Sequence, residues 1–143
     1  MSVEAILKTK GSNVFTIRPE HSLADASTLL STKKVGVAVV CDGRGAVLGV
    51  LSERDIVNAL ATYGKGALDL AVRNVMSSPA LTCSLTDNAK KILEVMTERR
   101  VRHLPVVEGS ELLGIVSIGD AVNFRLKEAQ AEVGVLRDYA VTR

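Results

Sequence analysis

Two segments of the chain place a serine three residues before an aspartate, directly after an apolar run. They are Ser52-Glu53-Arg54-Asp55 and Ser117-Ile118-Gly119-Asp120. In the first turn of a helix, the serine hydroxyl and the free backbone N–H groups can hold an anion, and the carboxylate can accept hydrogen bonds from ligand hydroxyls. The same spacing is typical of a capping box, in which the two side chains only close the start of the helix. Binding and capping can also coexist, so the pattern alone leaves both open.

Both motifs belong to an internal repeat. The segment Gly49 to Asn58 returns as Gly114 to Asn123, with Gly, Ser, Asp and Asn at equivalent positions. Upstream, Thr16 matches Thr82 at an offset of 66 residues, and the offset falls to 65 after a glycine-containing turn. Two copies are too few for a solenoid, so the repeat predicts one compact pseudo-symmetric domain. The recurrence of the motif after the same apolar strand favours ligand binding over capping alone.

The elements that must position these motifs follow from hydrophobic periodicity. Each half is predicted as β-α-β-β-α, giving an α+β fold of two repeats packed sheet to sheet. Strands are predicted at 14–17, 37–41, 46–51, 80–83, 103–107 and 112–116, and helices at 3–8, 22–34, 53–63, 70–76, 87–100 and from about 118. The C-terminal helix is predicted from apolar residues at helical spacing: Leu126, Ala129, Val133, Leu136 and Ala140. The predicted organisation is an N-terminal helical segment at 1–13, repeat one at 14–63, a linker at 64–79, repeat two at 80–126 and a helical extension at 127–143.

Composition argues against several classes of function. With 18 basic and 16 acidic residues and 3% aromatics, the chain shows no electrostatic or stacking footprint for nucleic acid. Its apolar runs are too short to span a bilayer and it shows no signal peptide, so a soluble cytoplasmic protein is expected. The histidines and cysteines lack metal-ligand spacing, and Cys41 and Cys83 are predicted to be buried, inert thiols. No metal is therefore expected. No nucleophile elbow or phosphate-binding loop is present, so no enzymatic activity is expected either.

These features resemble a known family. Two β-α-β-β-α halves, each ending Gly-apolar-apolar-Ser-x-x-Asp, are similar to a tandem pair of cystathionine-β-synthase-type (CBS) domains, or Bateman module. The specific strings are Arg102-His103-Leu104-Pro105-Val106-Val107 and Gly114-Ile115-Val116-Ser117-Ile118-Gly119-Asp120. The resemblance covers about residues 14–126 and is strongest to small stand-alone bacterial members.

The resemblance implies ligand sites in the cleft between the halves. The implied ligands are adenosine compounds, namely AMP, ADP, ATP, NAD(H) or S-adenosylmethionine, and no catalytic cofactor is implied. Ribose would be held by Asp55 and Asp120. Phosphate would be held by Ser52, Arg54, Arg102, His103 and Ser117. Adenine would lie against the strand starts at Thr16, Ile17, Thr82 and Cys83.

The basic residues are unequally distributed between the two halves. Arg54 has Gly119 as its counterpart, and Arg102-His103 has Gly36-Val37. Phosphate affinity is therefore expected to differ between the two clefts.

Two functions from different classes remain open at this point. The first is a regulatory adenosine-nucleotide sensor, expected as a homodimer, in which ligand binding shifts conformation and thereby the affinity for a regulated protein. The second is a structural or protein-interaction adaptor with vestigial clefts.

Overall fold

A computed structural model describes the backbone of residues 2–142 and the side chains of residues 2–134. The elements are α1 (Val3–Lys10), β1 (Thr16–Ile17), α2 (Leu23–Lys33), β2 (Val37–Cys41), β3 (Val47–Ser52), α3 (Glu53–Tyr63), α4 (Ala89–Arg99), β4 (His103–Glu108), β5 (Glu111–Ser117) and α5 (Ile118–Thr142). Two short 3-10 helices, Gly64–Asp69 and Val72–Asn74, form the linker in place of the single helix predicted at 70–76. The side chains of Leu136 and Ala140, predicted on the apolar face of the last helix, lie outside the described residues.

The two halves share the order of their elements, which confirms the predicted fold class. β1 pairs in parallel with β2, and β2 pairs antiparallel with β3, while β4 pairs antiparallel with β5. Both hairpins are irregular at the same repeat position, at Val40/Cys41 in one half and Val106/Val107 in the other. Shared irregularities of this kind show that the sequence repeat is a structural repeat.

The segment before each repeat packs on the opposite half. Val3, Ile6 and Leu7 of α1 lie in the core of the second half. Ala67 and Val72 of the linker lie in the core of the first half. Between the two sheets lies a third apolar cluster, built on Val39, Cys41 and Ile115 with Val14, Val37, Val47 and Leu112 packed against it. The halves are therefore joined by exchanged segments as well as by sheet packing.

The predicted strand that ends at Cys83 is reduced to a single bridge. In the first half, Val39 donates its amide hydrogen to the carbonyl of Phe15, with a donor–acceptor distance of 2.9 Å. The residue at the Val39 position in the second half is Pro105. Because proline has no N–H, the matching hydrogen bond to Leu81 cannot form and the ladder stops.

Helix α4 begins two residues later than predicted. Asp87 was assigned to the helix, but its carboxylate accepts a hydrogen bond from the Ser84 amide at 3.0 Å and closes a turn. The side chain of Asn88 then caps the helix by accepting from the Lys91 amide at 2.8 Å. Two adjacent residues that can both cap a helix blur its start in the sequence.

Two further properties concern the cysteines and the hydropathy of the helices. Cys41 and Cys83 are both buried and free, as predicted. Within the part of the chain that the structure describes, no helix combines the length and hydropathy needed to cross a membrane.

Candidate ligand-binding cleft

Both Ser-x-x-Asp motifs form capping boxes at the start of a helix. At α3, the hydroxyl of Ser52 accepts from the Asp55 amide at 3.2 Å, and the Asp55 carboxylate accepts from the Ser52 amide at 2.8 Å. At α5, Ser117 and Asp120 form the same pair of bonds, at 3.1 and 2.9 Å. Each carboxylate is thus fixed in the first turn of its helix.

A third capping box shows that the capping geometry also occurs away from the cleft described below. Ser22 and Asp25 form the same reciprocal pair at the start of α2, in a part of the fold that does not line the cleft described below. The capping geometry alone is therefore not diagnostic of a ligand site. What distinguishes the repeated motifs is the surface that surrounds them.

Equivalent hydrogen bonds place each motif beside the start of a strand. The Glu53 amide donates to the Gly36 carbonyl at 2.9 Å, and the Ile118 amide donates to the Arg102 carbonyl at 2.8 Å. These bonds tie the first turn of α3 to the start of β2, and the first turn of α5 to the start of β4. Side chains at the starts of β2 and β4 are thereby brought close to the motifs.

A cleft of about 950 Å³ lies beside Asp55, within the usual range for small-molecule sites. It is lined by both halves and by the linker: Gly36, Val50, Ser52, Glu53, Arg54, Asp55, Met76, Ser77, Ser78, Pro79, Ala80, Leu81, Arg100, Val101, Arg102, His103, Ser117 and Ile118. Six residues predicted for the site therefore meet here: Ser52, Arg54, Asp55, Arg102, His103 and Ser117.

The residues predicted to contact adenine lie elsewhere. Thr16 and Ile17 line a separate cavity of about 720 Å³ near the hairpin turns. Thr82 is exposed and Cys83 is buried in the core of the second half, and neither is among the residues that line the cleft. The chain lines the cleft just before Thr82, from Met76 to Leu81.

Asp120 differs from Asp55 because it holds a cation. The Nζ of Lys10 lies 2.7 Å from Asp120 Oδ2 and donates a second hydrogen bond to the Ile115 carbonyl at 2.9 Å. Burial raises the pKa of Asp120, but the hydrogen bonds from Lys10 and Ser117 outweigh this effect and leave the pKa below its usual value. Sequence reasoning missed Lys10, since nothing in the repeat marks the end of α1 as part of a site.

Arginines, and not the histidine, supply the positive charge of the cleft. Burial, with contributions from the charges of Lys10 and Arg102, holds the pKa of His103 below its usual value, so the ring is neutral at pH 7. Arg54 and Arg102 were predicted here, and Arg100 joins them. Arg100 ends α4 in a left-handed conformation, with φ 56°. Its sequence position suggested only an interaction with the helix dipole, and the cleft-facing role was missed.

The family follows from comparison with known sequences. The CBS domain matches the chain in two copies, over residues 3–62 and 72–127. The chain belongs to the CBS-domain family. This finding confirms the resemblance that the repeated motifs indicated.

Relatives of similar length support the assignment. A CBS domain-containing protein of Bacillus subtilis is 28% identical over 122 residues, which cover 85% of this chain and 86% of the relative. The crystal structure of a CBS-domain containing protein from Agrobacterium tumefaciens is 38% identical, with a TM-score of 0.83, covering 87% of this chain and 99% of the other. A CBS domain protein from Pyrobaculum aerophilum, solved as a complex with AMP, is 28% identical, with a TM-score of 0.74 and coverage of 84% and 89%.

Proposed function

We propose that this CBS-domain protein is a regulatory module that binds an adenosine nucleotide, AMP, ADP, ATP or NAD(H), in the cleft beside Asp55. The observation that carries the proposal is the convergence of a fixed carboxylate from the first half with cationic side chains from both halves in one cleft. The AMP complex of the Pyrobaculum aerophilum relative supports the ligand class.

The proposed roles follow from the chemistry of the lining groups. The Asp55 carboxylate is held by the amide and hydroxyl of Ser52, at 2.8 and 3.1 Å, and uses its remaining lone pairs to accept the ribose hydroxyls. The phosphates face the guanidinium groups of Arg54, Arg100 and Arg102, which present several N–H donors each. The adenine lies against the backbone at 80–81 in place of the predicted contacts two residues later.

Regulation is proposed to act through linkage. A ligand that touches both halves and the linker favours the relative arrangement in which all three line one cleft. The arrangement then alters the affinity for a regulated protein by the same factor by which that protein alters the ligand affinity. The ligand is bound and released unchanged, so AMP or ATP incubated with the protein should be recovered intact by chromatography.

A homodimer is proposed to form through α3 and α5. Val57 and Val122 occupy equivalent positions on these helices and are 61% and 43% exposed. Tyr63 and Leu126 extend the two exposed apolar faces along the same helices. Apolar side chains exposed at matched positions of a pseudo-symmetric module suit an interface between two copies.

The test is isothermal titration with AMP, ATP, NADH and S-adenosylmethionine, with GMP and GTP as controls. Asp55→Ala should weaken adenosine binding, because losing two hydrogen bonds to a carboxylate costs about 2–4 kcal/mol, or roughly 30- to 1000-fold in Kd. Asp25→Ala is the matched control, since it removes the equivalent acid from the capping box of α2 away from the cleft. Unchanged affinity in Asp55→Ala would refute the ribose assignment. No binding by the folded parent would favour the adaptor function.

A further inference from the structure

We propose that Lys10 closes the second Ser-x-x-Asp site to ligand, so that each chain binds one nucleotide, in the cleft beside Asp55. The inference rests on the proposed function and adds its stoichiometry and the residue that sets it. The repeat alone would predict two equivalent sites per chain, because both copies carry the serine and the aspartate.

Lys10 lies on the Asp120 carboxylate, whose counterpart Asp55 is proposed to accept the ribose hydroxyls. Its ammonium donates to Asp120 Oδ2 at 2.7 Å and to the Ile115 carbonyl at 2.9 Å. The side chains of Lys10 and Asp120 are only 30% and 25% exposed. A ribose that binds through both oxygens of the Asp120 carboxylate must displace the ammonium from Oδ2 and leave a partly buried cation without its counter-ion, which is unfavourable.

The lysine is held in place by the helix that carries it. Val3 and Ile6 of α1 are buried in the core of the second half, and the Val3 amide donates to the Asp87 carbonyl at 2.7 Å. Lys10 lies in the last turn of this anchored helix. Its contact with Asp120 is therefore part of the packed fold, and the side chain can reach the site without ordering a flexible segment.

The cleft beside Asp55 has no equivalent ammonium at the matching position. At the repeat offset of 66 residues, the counterpart of Lys10 is Met76. Met76 lines the cleft, and its thioether cannot donate a hydrogen bond to a carboxylate. The carboxylate of Asp55 is engaged by Ser52 of its own capping box, through the amide and the hydroxyl. One substitution between the repeats thus distinguishes an open site from a closed one.

The experiment counts bound nucleotide by isothermal titration with AMP and ATP. The parent should bind one nucleotide per chain, and Lys10→Met, which copies the residue of the open cleft, should bind two. Lys8→Met is the matched control, because Lys8 lies on the same helix but pairs with Glu4 at the surface. It should keep the stoichiometry of the parent.

Asp120→Ala is the second variant, should Lys10→Met fold poorly, because it removes the carboxylate and keeps the lysine. It should leave the stoichiometry at one and change the Kd by less than about twofold. Two sites in the parent, a folded Lys10→Met that still binds one nucleotide, or loss of binding in Asp120→Ala would overturn the inference while the proposed function stands. No binding by the parent would instead refute the proposed function, and with it the inference.

Discussion

Gly49 and Gly114 are the equivalent glycines of the two repeats, and the structure predicts that alanine costs much more stability at the first. A Cβ added at Gly49 would lie 2.6 Å from the Ser77 carbonyl oxygen and 2.9 Å from the sulfur of Met76. A Cβ added at Gly114 would meet the methyl groups of Leu7, at 3.1 and 3.2 Å. The first clash is with backbone, whereas the second is with the flexible end of a side chain.

The cost at Gly49 includes hydrogen bonds as well as steric repulsion. The Ser77 carbonyl accepts a hydrogen bond from the Val50 amide at 3.0 Å, and the Ser77 amide donates one to the Val50 carbonyl at 3.0 Å. Moving the Ser77 segment away lengthens both bonds, each worth about 1 kcal/mol, and overpacking adds about 1–3 kcal/mol. Replacing glycine by alanine also lowers the conformational entropy of the unfolded chain, which offsets about 0.4–1 kcal/mol of this loss. The sum predicts a loss of about 2–5 kcal/mol for Gly49→Ala, and the loss is expected to be less than about 1 kcal/mol for Gly114→Ala.

Urea unfolding of the parent and the two variants measures both free energies by linear extrapolation. The slopes should agree among the three proteins, so that the midpoints report stability directly. Gly49→Ala should also weaken nucleotide binding, because Met76 and Ser77 line the cleft. Equal stabilities for Gly49→Ala and Gly114→Ala would show that the Ser77 segment yields freely and would refute the reasoning.

Three other measurements test the electrostatics and the surface. Burial and nearby cations hold the pKa of His103 below 6.5 in the folded protein, so the unfolded chain binds its proton more readily. The contribution of neutral His103 to stability should therefore be fully present above about pH 6.5 and be lost as the pH falls through the folded pKa. The pH profile of stability should be flatter in His103→Gln. Burial raises the pKa of Cys83 to about 12 and also raises that of Cys41, so both thiols should react with Ellman's reagent at pH 8 far more slowly in native protein than in denaturant. Light scattering should show a dimer that Val57→Glu or Val122→Glu converts to monomer, and a monomeric parent would contradict the proposed interface.

Local patterns were sufficient to predict most of the fold. β2 and α3 have the predicted bounds, Val37–Cys41 and Glu53–Tyr63, because an apolar run and an amphipathic period mark them clearly. The strand before α4 could not be judged from its own residues. Its length depends on Pro105, which lies more than twenty residues downstream and withholds the N–H that a ladder partner would use.

The candidate site was predictable where it repeats and unpredictable where the repeat is broken. Asp55 and Ser52 could be identified because the same motif returns after the same strand. Arg100 could not, since a cation at the end of a helix has a sufficient explanation in the helix dipole. Lys10 is 110 residues from Asp120 in sequence, and only the packing of α1 on the opposite half brings the two together.

Two breaks in the repeat favour the cleft beside Asp55 as the ligand site. Arg102 lies beside Asp55, whereas its counterpart Gly36 has no side chain to offer a phosphate. Lys10 lies on Asp120, whereas its counterpart Met76 leaves the first cleft without that ammonium. Under the proposed function, the first difference adds a phosphate-binding group beside Asp55, and the second occupies the carboxylate of Asp120 that would otherwise bind ribose. These two differences arise at unrelated positions, and both are expected if the site beside Asp55 binds the ligand while the equivalent residues at Asp120 stabilise the fold.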